Sequence, residues 1–310
     1  MGVRQKGRVT AIAACVLACC LGLSLWLVAR GGGAASQAVS SVLIQREPWG
    51  PGQRARELTD ATPLAACEAR IVREPRRLPT IAVVGASYTA GTGPDNPLLS
   101  WAVVLARLLR WNAVIDGVPG AGYVSQGVGR HGPITRMLSA EGLRSLDPSV
   151  VIVQAGHDDV GVPQAPERAG VRATLGLIQA AAPGARVALL TVFALPPGGT
   201  QALRRTDQVI VTTATSADPK VIIMDPLAGQ WEFQHANGGR GLHPTATGDA
   251  WIAGKVLAIL RAYGVRPVPA TSATQPVICD ASVGEKQVAG TSELALPRVS
   301  VQGGRDERLG

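Results

Sequence analysis

The chain has 310 residues, 46% hydrophobic and 17% charged, so it is apolar enough for a sizeable core and is not disordered throughout. Its 37 Gly and 22 Pro follow no period, which excludes a collagen-like or low-complexity chain, and 4% aromatics leave little for single-strand stacking platforms. Half of the net charge of +8 sits on Arg4, Lys6, Arg8 and Arg30 around one apolar run; the remaining arginines are scattered, without the basic stripe that nucleic acid requires.

That run, Val9 to Ala29, is uncharged. As a helix rising ~1.5 Å per residue it reaches ~30 Å, the thickness of a bilayer core. The basic flank predicts a cytoplasmic amino terminus and everything after Arg30 outside. Residues 1–30 are therefore expected to be a signal peptide or a membrane anchor. Gly33-Ala34-Ala35 offers a cleavage site, whereas the length of the run favours retention. The expected product is secreted or held on the outer face of the cytoplasmic membrane. Cys15, Cys19 and Cys20 fall inside the run, which leaves Cys67 and Cys279. In an oxidising compartment that pair is a disulfide candidate tying the lead-in to the segment after the last helix.

Residues 31–79 mix Gly, Ser, Pro and Arg without periodicity and read as a linker with an ordered lead-in near Cys67. From Thr80 the pattern alternates. Strands are predicted at Thr80 to Gly85, near Ala113 to Ile115, at Val150 to Gln154, Arg186 to Phe193 and Val221 to Met224. Helices are predicted at Leu98 to Arg110, Ile134 to Leu146, Arg168 to Ala182, Ala202 to Thr215 and Thr245 to Tyr263. Such alternation indicates an α/β fold around a parallel sheet in a domain spanning 80–264. Residues 265–310 read as a mostly disordered tail.

Ligands of open parallel sheets bind beyond the carboxyl ends of the strands. Four blocks stand at those ends: Gly85-Ala86-Ser87-Tyr88, Gly117-Val118-Pro119-Gly120, Gly156-His157-Asp158-Asp159 and, before the last helix, Gly241-Leu242-His243-Pro244. A serine, a glycine-rich turn and a histidine on one edge suit nucleophilic acyl transfer, in which His takes the serine proton and backbone N–H groups hold the oxyanion. Each block has a plainer reading as well. Ser87 suits any turn, Gly120 a tight bend, and His243-Pro244-Thr245 a helix start with Thr245 as cap. His131 and His235 read as surface residues. No other His/Asp/Glu cluster has metal-ligand spacing, and neither the Gly-x-Ser-x-Gly elbow nor a phosphate loop is present.

In number, order and spacing the four blocks resemble the SGNH (GDSL-type) hydrolase family, in particular its secreted bacterial esterases and lipases. The resemblance covers roughly residues 80–264. It implies a three-layer α/β/α, flavodoxin-like architecture with a parallel five-stranded sheet. It assigns Ser87 as nucleophile, His243 as base, and Ser87, Gly120 and Asp158 to the oxyanion site, with no metal or organic cofactor. Three positions depart from the family pattern. Ala86 replaces the Asp of the Gly-Asp-Ser motif. Asp158 replaces an Asn whose amide donates; an ionised carboxylate only accepts, so Asp158 helps when burial keeps it protonated. Arg240 replaces the acid that orients the histidine, and a guanidinium cannot accept an imidazole N–H. The base is then oriented by a backbone carbonyl or by another carboxylate, with Asp158, Asp159, Glu232 and Asp249 as candidates. The expected activity is hydrolysis of carboxylic esters (envelope lipids, acylated glycans or small esters) by a monomer. A weakly catalytic module binding envelope glycan or lipid, or an O-acyltransferase, is the alternative.

Overall fold

Alternation along the strands decides the layering. The first strand, β1 (Thr80–Gly85), is buried along its whole length. Ile81 and Val83 join one apolar cluster while Ala82 and Val84 join another. Both faces of the sheet are therefore covered, as a parallel sheet requires. The computed structural model describes residues 63–74, 78–94, 96–140, 142–194, 200–232, 241–269 and 275–281. These lie in one compact unit, Ala55–Gly310. The Val9 to Ala29 run, His235, Arg240 and residues 282–310 fall outside the described residues. Among the described residues no helix is long and apolar enough to cross a membrane.

In chain order the elements are α1 (Pro63–Arg73), β1, α2 (Trp101–Leu109), β2 (Asn112–Gly117), α3 (Ile134–Ala140), α4 (Leu143–Leu146) and β3 (Val150–Gln154). They continue with α5 (Gln164–Ala181), β4 (Arg186–Leu190), α6 (Gln201–Ala217), β5 (Ile222–Met224), α7 (Ala246–Ala262) and β6 (Ile278–Asp280). Short 3-10 turns at Pro97–Leu99, Val128–Arg130 and His157–Asp159 interrupt the connections. The strands form one parallel sheet in the order β5-β4-β3-β1-β2-β6. The order reverses at β1, where β2 lies on one side and β3 on the other, the crevice at which open α/β sheets bind ligands. Trp101, Leu105, Ile252 and Leu260 of α2 and α7 cover one face. Ile134, Val171, Ile178 and Ile210 of α3, α5 and α6 cover the other. The result is the three-layer α/β/α architecture.

The sheet has six strands where five are expected from the sequence. The extra strand, β6, comes from the segment read as tail, and the reason is a buried polar side chain. Asn112 Oδ1 accepts from Val277 N–H at 2.9 Å while its Nδ2 donates to the Leu78 carbonyl at 3.3 Å. The buried amide thus needs the tail as a partner. Cys279 pairs in register with Val114 and is bonded to Cys67 of α1, with Cα atoms 5.7 Å apart. Ile71, Val114 and Leu146 pack around that bond. The chain between is pinned too: Trp111 Nε1 donates to the Arg266 carbonyl at 3.1 Å, and Val265 is buried.

Two other differences have local causes. The helix expected over Ile134 to Leu146 is two helices, and Gly142, at φ −75° and ψ 37°, lies outside helical geometry between them. The strand expected to run from Arg186 to Phe193 ends at Leu190, and beyond it the Phe193 N–H donates to His157 Nε2 instead of to a strand. Replacing both Cys67 and Cys279 by Ser is expected to lower unfolding stability by about 2–4 kcal/mol, because the bond closes a very long loop in the unfolded chain. Denaturant melts of the double variant beside the parent, and beside the parent with reductant, measure this.

Candidate active site

β1 and β2 pair with Gly85 opposite Gly117, so the chain leaves both strands at one level. Two residues beyond Gly85 stands Ser87; three beyond Gly117 stands Gly120. The turn that carries Ser87 is held by a side chain that sequence reasoning missed. Gln154, the last residue of β3 and 1% exposed, accepts through Oε1 from the Ala86 N–H, the Thr89 N–H and the Thr89 hydroxyl at 3.0–3.3 Å. Its only legible signal is a polar residue closing an otherwise apolar strand. Gly120 has φ +79°, a left-handed conformation that costs glycine no Cβ clash. Among the described residues neither the Ser87 nor the Gly120 N–H donates to another group. Two free backbone donors beside a serine are what a developing oxyanion needs.

His243 comes from the far side of the chain. Thr245 caps α7, its Oγ1 accepting from Gly248 N–H at 3.1 Å, so the helix begins just past the histidine. The cap and Pro244 hold the approach extended. His243 Nε2 lies 2.9 Å from Ser87 Oγ, within the reach of a nucleophile and its base. Burial lowers the His243 pKa below its ordinary value, which keeps the imidazole neutral and able to accept a proton. Among the described residues Ser87 is the only side chain hydrogen-bonded to His243.

Of the four carboxylates considered for orienting His243, Asp159 and Asp249 do other work. Asp159 is fully buried and accepts from the N–H groups of Tyr123, Val124 and Ser125 at 2.6–3.1 Å. It therefore staples the loop that carries Gly120. Asp249 lies in the first turn of α7 and accepts from Trp101 N–H at 2.9 Å, which ties α7 to α2. Glu232 follows the buried Trp231 and makes no side-chain hydrogen bond to His243. Asp158 is exposed, its carbonyl accepting from Ser125 Oγ at 2.6 Å. Partial desolvation and neighbouring Asp159 raise the Asp158 pKa, so its neutral form extends above the usual carboxylate range.

His157 is drawn inwards. Phe193 N–H donates to its Nε2 at 3.0 Å and the Phe193 ring stacks on it at 6.1 Å. Desolvation lowers its pKa to about 4, so it is a neutral structural histidine at the strand end. Among the described residues no group of three or more His, Cys, Asp or Glu is placed to hold a metal ion.

The model of the GDSL-like lipase/acylhydrolase family matches residues 83–251. The chain belongs to that family. It is accordingly an ester-cleaving hydrolase. The GDSL lipase Rv0518 of Mycobacterium tuberculosis (strain ATCC 25618 / H37Rv) is 29% identical over 199 residues, 59% of this chain and 82% of that protein. Similar solved structures include a family two carbohydrate esterase from Clostridium thermocellum (TM-score 0.49, 18% identity, 61% of this chain). This chain spans 66% of that esterase. Another is a carbohydrate esterase family 2 enzyme with a carbohydrate binding domain from Corynascus thermopiles (TM-score 0.49, 19% identity, 62% of this chain, 68% of that one).

Several buried carboxyls prefer to be neutral. Desolvation raises Glu167 to about 7 and Asp249 to about 8. Between the unfolded carboxyl values near ~4 and these folded values, the native state holds protons that the unfolded chain has lost, so stability falls as pH rises. His157 acts oppositely, but only below the unfolded histidine value of ~6.5. Unfolding stability is therefore expected to decline from about pH 6.5 to about pH 8. Asp249→Asn keeps the acceptor for Trp101 N–H and is expected to flatten that decline, as urea melts across the interval would show.

Proposed function

We propose that the chain is an exported serine esterase working through a Ser87–His243 acyl-enzyme mechanism. The observation that carries this reading is the 2.9 Å approach of His243 Nε2 to Ser87 Oγ. Ser87 Oγ attacks the ester carbonyl carbon while His243 Nε2 takes its proton. The negative oxygen of the tetrahedral intermediate accepts from the Ser87 and Gly120 N–H groups, and collapse expels the alcohol, which receives the proton from His243. Water, deprotonated by His243, then attacks the acyl-serine carbonyl and releases the acid and Ser87. Asp158 contributes a third donor in its protonated form.

The rim of the site supports an ester with an apolar acyl or alkyl part. Val128 (67% exposed), Val160 (38%) and Leu242 (59%) stand on the loops after β2 and β3 and directly before His243. Burial of each further substrate methylene on such a surface contributes ~0.8 kcal/mol, about fourfold in kcat/KM. Lipid-like esters fit that rim better than small polar ones, in keeping with the lipase name of the mycobacterial relative. Export is supported by the apolar Val9 to Ala29 run with its basic flank and by the Cys67–Cys279 bond, which belongs to an oxidising compartment.

Hydrolysis of p-nitrophenyl acetate and butyrate by residues 36–310 tests the reading. Ser87→Ala and His243→Ala are each expected to lose about 10³-fold or more in kcat; rates equal to the parent's in folded Ser87→Ala would overturn it. Butyrate should exceed acetate in kcat/KM. Because burial lowers the His243 pKa, kcat/KM should rise with pH through a midpoint below ~6.5 and then level off on that limb. Asp158→Asn places a permanent amide donor at the oxyanion site. It should raise kcat by about 10-fold near neutral pH, with a gain that grows as Asp158 of the parent ionises.

A further inference from the structure

The base of this site lacks the family's acid at position 240, where Arg240 stands, and the described carboxylates are engaged elsewhere or make no side-chain hydrogen bond to it. What holds it is found one residue from the nucleophile. Tyr88 Oη donates to the Leu242 carbonyl at 2.6 Å. Ser87 reaches His243 and Tyr88 reaches Leu242, so two adjacent residues on one strand-end turn grip two adjacent residues on the other segment. The Leu242 side chain is largely in solvent, and a Cβ at Gly241 would touch nothing within 4 Å. On its other side the backbone of Gly93 packs so closely that a Cβ there would collide with the Pro244 carbonyl and lie 3.0 Å from His243 Cβ.

The tyrosine is itself closely packed. Its side chain is 4% exposed, and its ring lies 5.2 Å from the His157 ring and 5.5 Å from the Phe193 ring. It packs T-shaped with the His243 ring at 5.5 Å and 82°, an arrangement that limits imidazole rotation. Burial pushes the phenol pKa up, so Oη remains a donor throughout the working range.

We propose that Tyr88 is the positioning residue for His243: its hydroxyl fixes the Leu242 carbonyl, its ring, packed T-shaped with the imidazole, fixes the imidazole plane, and together they do the orienting work of the missing acid. This rests on the Ser87–His243 reading above. A neutral tether orients the ring without contributing charge to the imidazolium. Loss of the tether therefore changes how often the base is aligned, and leaves substrate binding nearly as it was. Displacing a reacting group by about 1 Å costs on the order of 10²-fold in rate.

Tyr88→Phe keeps the ring and deletes the hydroxyl. Reactive serines are counted by the p-nitrophenol burst from diethyl p-nitrophenyl phosphate, and folding is followed by circular dichroism, so misplacement is separated from misfolding. Turnover of p-nitrophenyl butyrate per reactive serine is expected to fall about 10- to 100-fold with KM within about twofold of the parent's. Tyr88→para-aminophenylalanine, which keeps both a ring and a donor, should recover most of that loss. A Tyr88→Phe enzyme within about threefold of the parent per reactive serine would overturn the proposal, as would a loss carried by KM. So would a para-amino variant no better than Phe. Ser87→Ala, run beside them, separates the two readings: an active Ser87→Ala enzyme sinks the serine mechanism itself. An inactive one beside a fully active Tyr88→Phe sinks only the role of Tyr88.

Discussion

The parallel pairing of β1 with β2 and β3 governs the site. Because Gly85 pairs with both Gly117 and Gln154, three chains leave the sheet at one level. The nucleophile turn, the glycine loop and the His157–Asp159 turn then occupy one edge of the molecule. A slip of one residue between β1 and β2 would reverse the faces of the slipped strand and shift Ser87 relative to Gly120. The apolar faces of Ile81/Val83 and Ala82/Val84, each committed to its own helical layer, forbid that slip. Core packing thus sets the geometry of the candidate site.

Polar contacts then hold the loops, and most use backbone groups. Gln154 accepts three times from the serine turn, Asp159 three times from the Gly120 loop, and the Leu242 carbonyl accepts from Tyr88. Each arrangement satisfies buried groups whose desolvation would otherwise be costly. Among the described residues the Ser87 and Gly120 N–H groups donate to none of these acceptors. A rigid frame with two idle donors resembles a preorganised oxyanion site more than a flexible binding loop.

The placement of Ser87, Gly120 and His243 at one edge was legible because each stands just past an apolar run or just before a helix cap, and only together do the blocks have meaning. The core strands were legible for the same reason. β6 was not, because three residues of Ile-Cys-Asp carry no readable period and the strand exists only where Asn112 and Cys67 recruit it. Helix α1 was read only as an ordered lead-in, since its apolar face packs on a bond formed with residues far away in sequence. Tyr88 and Gln154 sat inside recognised blocks, yet their roles depend on what lies across the edge, which no local pattern encodes. The search for a carboxylate on His243 followed charge logic. The described residues instead offer a hydroxyl on a carbonyl, a tertiary contact between positions 154 residues apart in sequence.

The Cys67–Cys279 bond joins positions 212 residues apart, and every residue of the proposed machinery lies between them. The proposed catalytic unit is thus a covalent ring. One protease cut in any of its surface loops opens the ring without producing two separable pieces, and the layered core can go on holding the nucleophile and the base together. Wherever peptidases act, such closure converts a single nick from an act of dismemberment into a change of connectivity.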